Sequence, residues 1–342
     1  MGEGKGGEGA LREGWDEGTY IRIRTSEARC WRPQSEIALI IMSVLTVNDL
    51  CIYPIKALPG IHVQAAVLDG SGLRHKKFQR VRDRAFMVVD AGTGKFISLR
   101  THARGLSKIS LALDEASGTL ELSAPGVDVL RIDVAGVAGD RTRMESSVWE
   151  WRGHATVVDR EWFSRVVGCE LCLVEASSDM HRPVDPEYAP QPSTTGFSDG
   201  FPFLFAFRES LIDLFEETYG DAAAGMMHRF RPNLTVAGGA PWQEDGIREL
   251  RLLRETGEYT GATFDLCKPC SRCTVPAVDP ATGDVDGRVT ELLRSRRSGG
   301  VLGWTEGPRG FKNATFFGVN ACLVDGEGGG TVVVKVGDVL EN

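Results

Sequence analysis

Short apolar runs broken by turn residues fill the chain from about residue 46 to 150. LTVNDLCIYPIK, IHVQAAVLD, RAFMVVDAGTGKFIS, KISLALDEASGTLELSA and DVLRIDVAG are alternating or wholly apolar, and Asp-Gly, Gly-Thr-Gly and Ser-Gly steps separate them. That spacing predicts an antiparallel β domain. Just ahead lies the long apolar segment IALIIMSVLTV, Ile37 to Val47. Its eleven residues fall short of the roughly 18 that cross a bilayer, so it reads as a first core strand, with an interfacial anchor as the alternative.

Beyond residue 150 helical signals enter. In DREWFSRVVG, Asp159 is placed to cap, Trp162, Phe163, Val166 and Val167 share a face, and Gly168 supplies the stop. ESLIDLFEETYG repeats the pattern with Leu211, Ile212, Leu214 and Phe215 before Gly220. LTVAGG, a mixed ELRLLRE segment, a helical VTELLRSRR and the closing strands ATFFGVNACLVD and GTVVVKVGDVLE follow. A second domain therefore begins between about 150 and 200, and the whole is α+β, predominantly β.

A length of 342 residues fits two domains, and 42% apolar with 25% charged residues fits a folded chain. The 41 glycines suit many turns. Net charge −8 disfavours nucleic acid, and the short clusters Arg74 to Arg84 and Arg294 to Arg297 read as solvated faces. The Gly-rich opening MGEGKGGEGALREGWDEG lacks apolar surface to bury, so residues 1 to about 36 are expected to be a disordered leader. Its GxGxxG match (Gly2, Gly4, Gly7) has no strand before it, and Gly6 stands where myristoylation wants Ser or Thr. With no secretory signal at the start, the eight cysteines are expected as thiols.

CKPCSRCTVPAVDP, Cys267 to Pro280, admits four readings. Zinc needs a fourth ligand, and Cys169 and Cys172 in the strand-like GCELCLVE point to opposite faces. An iron–sulfur cluster expects a following Cys-Pro, where this chain has Thr-Val-Pro. Thiols packed as small apolar groups are the default for Cys267 and Cys270. The fourth is a single thiolate on a soft metal held by a cofactor, for which Arg272 beside Cys273 favours the thiolate.

KPCSRC (Lys268 to Cys273) followed by VDPATG (Val278 to Gly283) resembles the molybdenum-ligand segment of MOSC-domain proteins, specifically the amidoxime-reducing component branch. IYPIK (Ile52 to Lys56), RDRAFMVVD (Arg82 to Asp90), ISLRTHARGL (Ile97 to Leu106), FSDGFPFL (Phe197 to Leu204), FRPNLTVAG (Phe230 to Gly238) and FFGVNA (Phe316 to Ala321) are each similar to a family segment in the same order. The resemblance implies a leader over 1–45, a MOSC N-terminal β-barrel domain over 46–170 and a MOSC β-barrel domain with peripheral helices over 171–342. It also implies the molybdenum cofactor bound between the domains. Cys273 is then the thiolate on molybdenum and the residue that tunes it. Lys56, Arg84 and Arg231 contact phosphate and pterin, Asn233 offers amide groups, and Ser198, Asp199, Gly200 and Phe201 approach largely by backbone. Ser271 and Arg272 flank the thiolate.

Three departures touch this set. Ala57 stands where the family commonly has Ser, and Gly200 with Phe201 replaces a Thr-Ser pair, so three hydroxyl contacts are absent. Arg100 and Arg104 are left undecided, and His181 and His228 match nothing specific. The implied activity is two-electron reduction of N-hydroxylated compounds such as amidoximes and hydroxylamines. Electrons are expected from cytochrome b5 and its NADH-dependent reductase, because no haem or flavin motif occurs here. A cofactor carrier or sulfur-transfer protein is the alternative, although no pyridoxal-phosphate domain precedes the matched region. The acidic leader lacks transit-peptide character, so a cytoplasmic location is expected, with the cytosolic face of the mitochondrial outer membrane as the alternative.

Overall fold

Strands that are apolar on both faces organise the protein, because they hold their shape only when covered on each side. The computed structural model describes residues 44–136, 142–189, 193–304, 311–324 and 331–342. The leader and residues 37–43 of the long apolar run lie outside these.

In chain order the first half carries β1 (Leu45–Ile52), β2 (Ile61–His62), β3 (Ala65–Asp69), β4 (Gly72–His75), β5 (Phe86–Asp90), α1 (Leu99–Leu106), β6 (Ser110–Asp114), β7 (Thr119–Ser123), β8 (Leu130–Asp133), β9 (Arg143–Val148), β10 (Trp151–Asp159), α2 (Trp162–Val167) and β11 (Leu171–Ala176). The second half carries β12 (Phe203–Phe207), α3 (Arg208–Tyr219), α4 (Met227–Phe230), β13 (Leu234–Ala237), β14 (Glu249–Leu253), β15 (Tyr259–Arg272), α5 (Gly287–Arg297), β16 (Thr315–Val324), β17 (Val333–Lys335) and β18 (Val339–Glu341). The fold is thus mostly β, with α3 and α5 at the periphery.

Seven strands close a barrel in the order β13-β12-β16-β15-β14-β18-β1, with β1 returning to β13. Closure removes the unpaired edges of an open sheet. In β12 the alternation decides both faces: Phe203, Phe205 and Phe207 join the main core, while Ala206 joins α3 and α5 with Leu211, Phe215 and Leu293. Phe203 and Phe205 meet Phe264 edge-on at 5.4 and 4.9 Å. Each such phenyl contributes roughly 1.5–3 kcal/mol by burial.

In the first half, β5, β11, β10 and β9 form an antiparallel sheet and β6, β7 and β8 a meander. Asp159, expected to cap α2, stands two residues before the cap position, which Glu161 holds without a side-chain bond; its Oδ1 nonetheless accepts from the amides of Glu161 at 3.1 Å and Trp162 at 2.7 Å. Gly168 ends that helix at φ 88°. The segment ISLRTHARGL, read as part of a β domain, forms α1 instead. Ser98 accepts from the Arg100 amide and Thr101 closes a capping box, while Leu99, Ala103 and Leu106 recur at helical spacing with both leucines buried in the core.

The two halves interlace. Strand β1 belongs to the barrel, and β17 returns to pair with β3. Among the described residues no helix is long and apolar enough to cross a membrane.

The basic clusters are not simply solvated. Arg80 is paired with Glu175 at 2.6 Å, Arg84 with Asp83, and Arg297 with Asp245 at 2.8 Å, the last buried and the first two partly buried. Carboxylates on neighbouring elements make that burial tolerable. Beside the last pair, Glu244 is also buried, accepting from Ser210 Oγ at 2.8 Å through one oxygen, while Oε1 has no partner among the described residues. Burial first, and the adjacent Asp245 second, push its carboxyl above the usual range.

A carboxyl raised in the fold holds its proton more tightly folded than unfolded. Its contribution is complete below the ordinary Glu range and is lost as pH rises through its folded value. Urea denaturation between pH 5 and 9 should therefore show stability falling by up to about 1.4 kcal/mol per pH unit from this group, and Glu244→Gln should remove that part of the slope.

Candidate functional site

Backbone pairing draws four separated segments to one place. The Lys56 amide donates to Phe86 O at 2.8 Å, and the Arg84 amide to Tyr53 O at 2.7 Å. Phe197 N donates to Arg84 O at 2.9 Å, Asn233 N to Leu204 O at 2.8 Å, and Cys51 N to Asn233 O at 3.0 Å. Under this mesh the buried Asp83 accepts from Tyr53 N at 3.0 Å, from Asn233 Nδ2 at 2.8 Å and from Arg84 Nη1.

The mesh forms one wall of a cavity of about 320 Å³. All twelve residues singled out from sequence line it: Lys56, Ala57, Arg84, Ser198 to Phe201, Arg231, Asn233, Ser271, Arg272 and Cys273. So do residues that sequence reasoning passed over, among them Phe96, Trp149, Arg229 and Lys268, and Arg100, which it left undecided. Seven cationic side chains face the cavity against the single carboxylate of Asp199, in a chain whose net charge is −8.

Arg84 and Arg231 both lie over the Tyr53 ring, 4.5 and 4.3 Å from its centroid. The stacking is worth up to about 2 kcal/mol per desolvated cation. Arg84 is satisfied by Asp83, and Arg231 is not. Arg231 Nη1 donates to Leu58 O at 2.6 Å, but its buried Nη2 has no partner among the described residues. Burial first, then the facing Arg84 guanidinium, push it down to about 10. It is still charged at neutral pH, so the site holds an under-neutralised cation.

Lys56 Nζ donates to Asp199 Oδ1 at 2.6 Å and sits 5.1 Å from the Phe96 ring centroid. Burial lowers the Lys56 pKa despite the pull of Asp199. The protein atoms crowded around the solvent-exposed Asp199 side chain would raise its carboxyl, but Lys56, with Arg84 and the Trp149 indole, holds it well below the usual carboxylate range. The Ser198–Phe201 turn is braced from behind. Arg182 donates to the carbonyls of Gly196 at 3.0 Å, Ser198 at 2.6 Å and Asp199 at 3.0 Å, and Ser198 Oγ donates to Phe201 O at 2.7 Å. The serine hydroxyl is thereby already engaged. A Cβ on Gly200 would meet nothing within 4 Å, so the space beside the lost hydroxyls is open.

The cysteine stretch is the end of β15, the longest strand, which periodicity alone did not reveal. Leu266 pairs with Ala321 and Lys268 with Asn320, so Cys267 is an extra residue in a bulge. The bulge turns Cys267 into the core with Cys322 and Tyr188, as expected for a packed thiol, while Lys268, Cys270 and Arg272 reach the cavity wall. Cys270 is only half-buried there, against expectation. Arg272 does not attend Cys273 either: its Nη1 donates to Cys270 Sγ at 3.0 Å and its Nη2 to Phe230 O at 2.8 Å. Cys273 follows the strand's last residue, is exposed to the cavity, and accepts from Val275 N at 3.5 Å. Among the described residues no cluster of three or more His, Cys, Asp or Glu side chains is arranged to hold a metal.

Of the five described non-glycine residues with positive φ, four line this cavity: Ala57 at 71°, Arg84 at 46°, Trp149 at 54° and Arg231 at 58°. Such conformations cost about 1–3 kcal/mol each and persist where function requires them.

Residues 44–170 match the family model described as the MOSC N-terminal beta barrel domain, and residues 192–341 match that of the MOSC domain. The human mitochondrial amidoxime-reducing component 1 is 27% identical over 272 residues, spanning 75% of this chain and 74% of the human protein. The mouse protein of the same name is 27% identical over 290 residues, spanning 81% of this chain and 78% of its own. The molybdenum cofactor sulfurase of Solanum lycopersicum is 26% identical over 264 residues, covering 72% of this chain but 30% of the sulfurase.

Two substitutions should move stability in opposite directions. Asp83→Ala strands a buried guanidinium and amide and should cost about 3–5 kcal/mol in urea denaturation without ligand. Arg231→Met keeps the stem but removes an under-neutralised charge, and should leave stability equal or higher. A loss in the methionine variant as large as that in the alanine variant would show that Arg231 is compensated.

Proposed function

This chain belongs to the MOSC family, joining a MOSC N-terminal barrel domain to a MOSC domain, and from that premise we propose that it is a molybdenum-cofactor-dependent reductase of N-hydroxylated compounds. The observation that carries the reading is the cavity itself, in which an exposed thiol, Cys273, shares a strongly cationic wall with the unpartnered Nη2 of Arg231. The residues present fit an anionic pterin dithiolene carrying a phosphate.

Lys56, Arg84 and Arg231 would hold the anionic end, Arg by its planar fork and Lys as a point charge. Asn233 is largely committed to Asp83, to Cys51 O at 3.3 Å and to the Leu204 amide at 3.2 Å, so its part is to fix the wall. Ala57 and Gly200 bring no hydroxyl, and open space at Gly200 lets a ligand approach the backbone. Cys273 would be the protein ligand to molybdenum, held at the strand's end by the Val275 amide.

When bound, the cofactor supplies two-electron reduction. Overall, the substrate N–O bond breaks, two electrons and two protons enter, and the products are the reduced nitrogen compound and water. The proposed electron source is an external haem protein of the cytochrome b5 type with its NADH-dependent flavin reductase. A carrier or sulfur-transfer role is the second reading, favoured by the similar identity to the tomato sulfurase.

Metal analysis with turnover separates these. Molybdenum near one per chain with reduction of an amidoxime is expected. Molybdenum without turnover favours the carrier, and iron with sulfide sinks both. Cys273→Ala should lower turnover on the order of a hundredfold or more, whereas Cys267→Ala, in the core, should retain it. Equal loss in the two variants would argue against a single-thiolate site.

A further inference from the structure

We propose that Trp149 closes the Lys56 end of the cavity over the bound cofactor and so slows its release, a role that rests on the cofactor reading above. Val148 pairs with Trp151 across the β9–β10 hairpin, leaving Trp149 and Glu150 as its two-residue turn. Positive φ in such turns is normally given to Gly, Asn or Asp. A tryptophan at 54° is therefore held against its backbone preference.

Nothing in the core repays that. The residue is 49% exposed, and its polar and aromatic contacts belong to the cavity. Nε1 donates to Asp199 Oδ1 at 3.2 Å, and the indole meets the Phe96 ring edge-on at 5.0 Å. Those are the two groups that surround the Lys56 ammonium. The Asp199 side chain is 77% exposed, so an anion reaching Lys56 meets this carboxylate and the indole together.

The backbone aims the ring. Ser147 N donates to Gly94 O at 3.0 Å and Phe96 N to Ser147 O at 3.3 Å, fastening the hairpin to the turn that carries Phe96. Only glycine permits this approach: at φ 67°, a Cβ on Gly94 would stand 2.1 Å from Glu145 O. Trp149 is thus positioned by two backbone bonds and spends its side chain on the cavity mouth.

The test uses the full chain produced in a host that makes the cofactor. Molybdenum retained during dialysis is followed for the parent, Trp149→Gly and Trp149→Phe, alongside melting of the cofactor-free forms. Glycine suits the positive φ, so the cofactor-free W149G chain is expected to melt at or above the parent. Its loaded form is expected to release molybdenum about tenfold faster, the worth of one aromatic contact. W149F keeps a ring against Phe96 but loses the Nε1 bond, and is expected to release about threefold faster. Equal release by W149G and the parent overturns the retention role alone. A parent that never carries molybdenum overturns the cofactor reading with it. Should W149G fail to fold, W149F decides: faster release supports the role and unchanged release overturns it.

Discussion

One buried carboxylate, that of Asp83, ties the candidate site together. It accepts from a backbone amide after β1, from the guanidinium of the next residue and from the Asn233 side chain of the second half. A charge out of water is tolerated only when its lone pairs are filled, so these three segments are compelled to meet. Because Lys56 lies three residues beyond Tyr53 and Arg231 two before Asn233, the cations of the cavity are carried to their places by the same constraint.

The cavity collects features that a fold optimised for stability alone would avoid. Four non-glycine residues in left-handed conformations, an arginine nitrogen without a partner among the described residues and two guanidinium groups facing one tyrosine are gathered around one cavity. The barrel offsets them with phenyl packing around Phe264 and with a closed ring of strands. Strain near the ligand and close packing away from it is the division expected of a preorganised site. An anion in the cavity would neutralise what burial leaves exposed on Arg231.

Elements with a clear local signature were legible in sequence. Asp159 and Gly168 bracket α2, Gly220 ends α3, and the alternating runs of the first half form sheets as their period requires. The motif segments also converge, all twelve marked residues lining one cavity. Less legible were features whose cause is non-local. Helix α1 combines a capping box with a stripe only two turns long, Leu99 to Leu106, too short to stand out beside the strand-like runs around it. The bulge at Cys267 and a second register shift at Cys270, which together reset the alternation before the cavity, arise from pairing with β16. Arg182 and Trp149 carry no motif; what marks Trp149 is a φ value, invisible in a string of letters.

By itself the amino-acid sequence determined which residue types are available, the mostly β character and the order of segments similar to one family, since propensity, alternation and motif are written locally along the chain. Only the tertiary structure decided which cations are satisfied and which are not. It also decided that Arg272 attends Cys270 rather than Cys273, and that an aromatic side chain stands at the mouth beside Lys56. Charge pairing and side-chain direction depend on partners that lie far apart in sequence, such as Asp83 with Asn233 and Lys56 with Asp199, and those distances are set when the barrel closes.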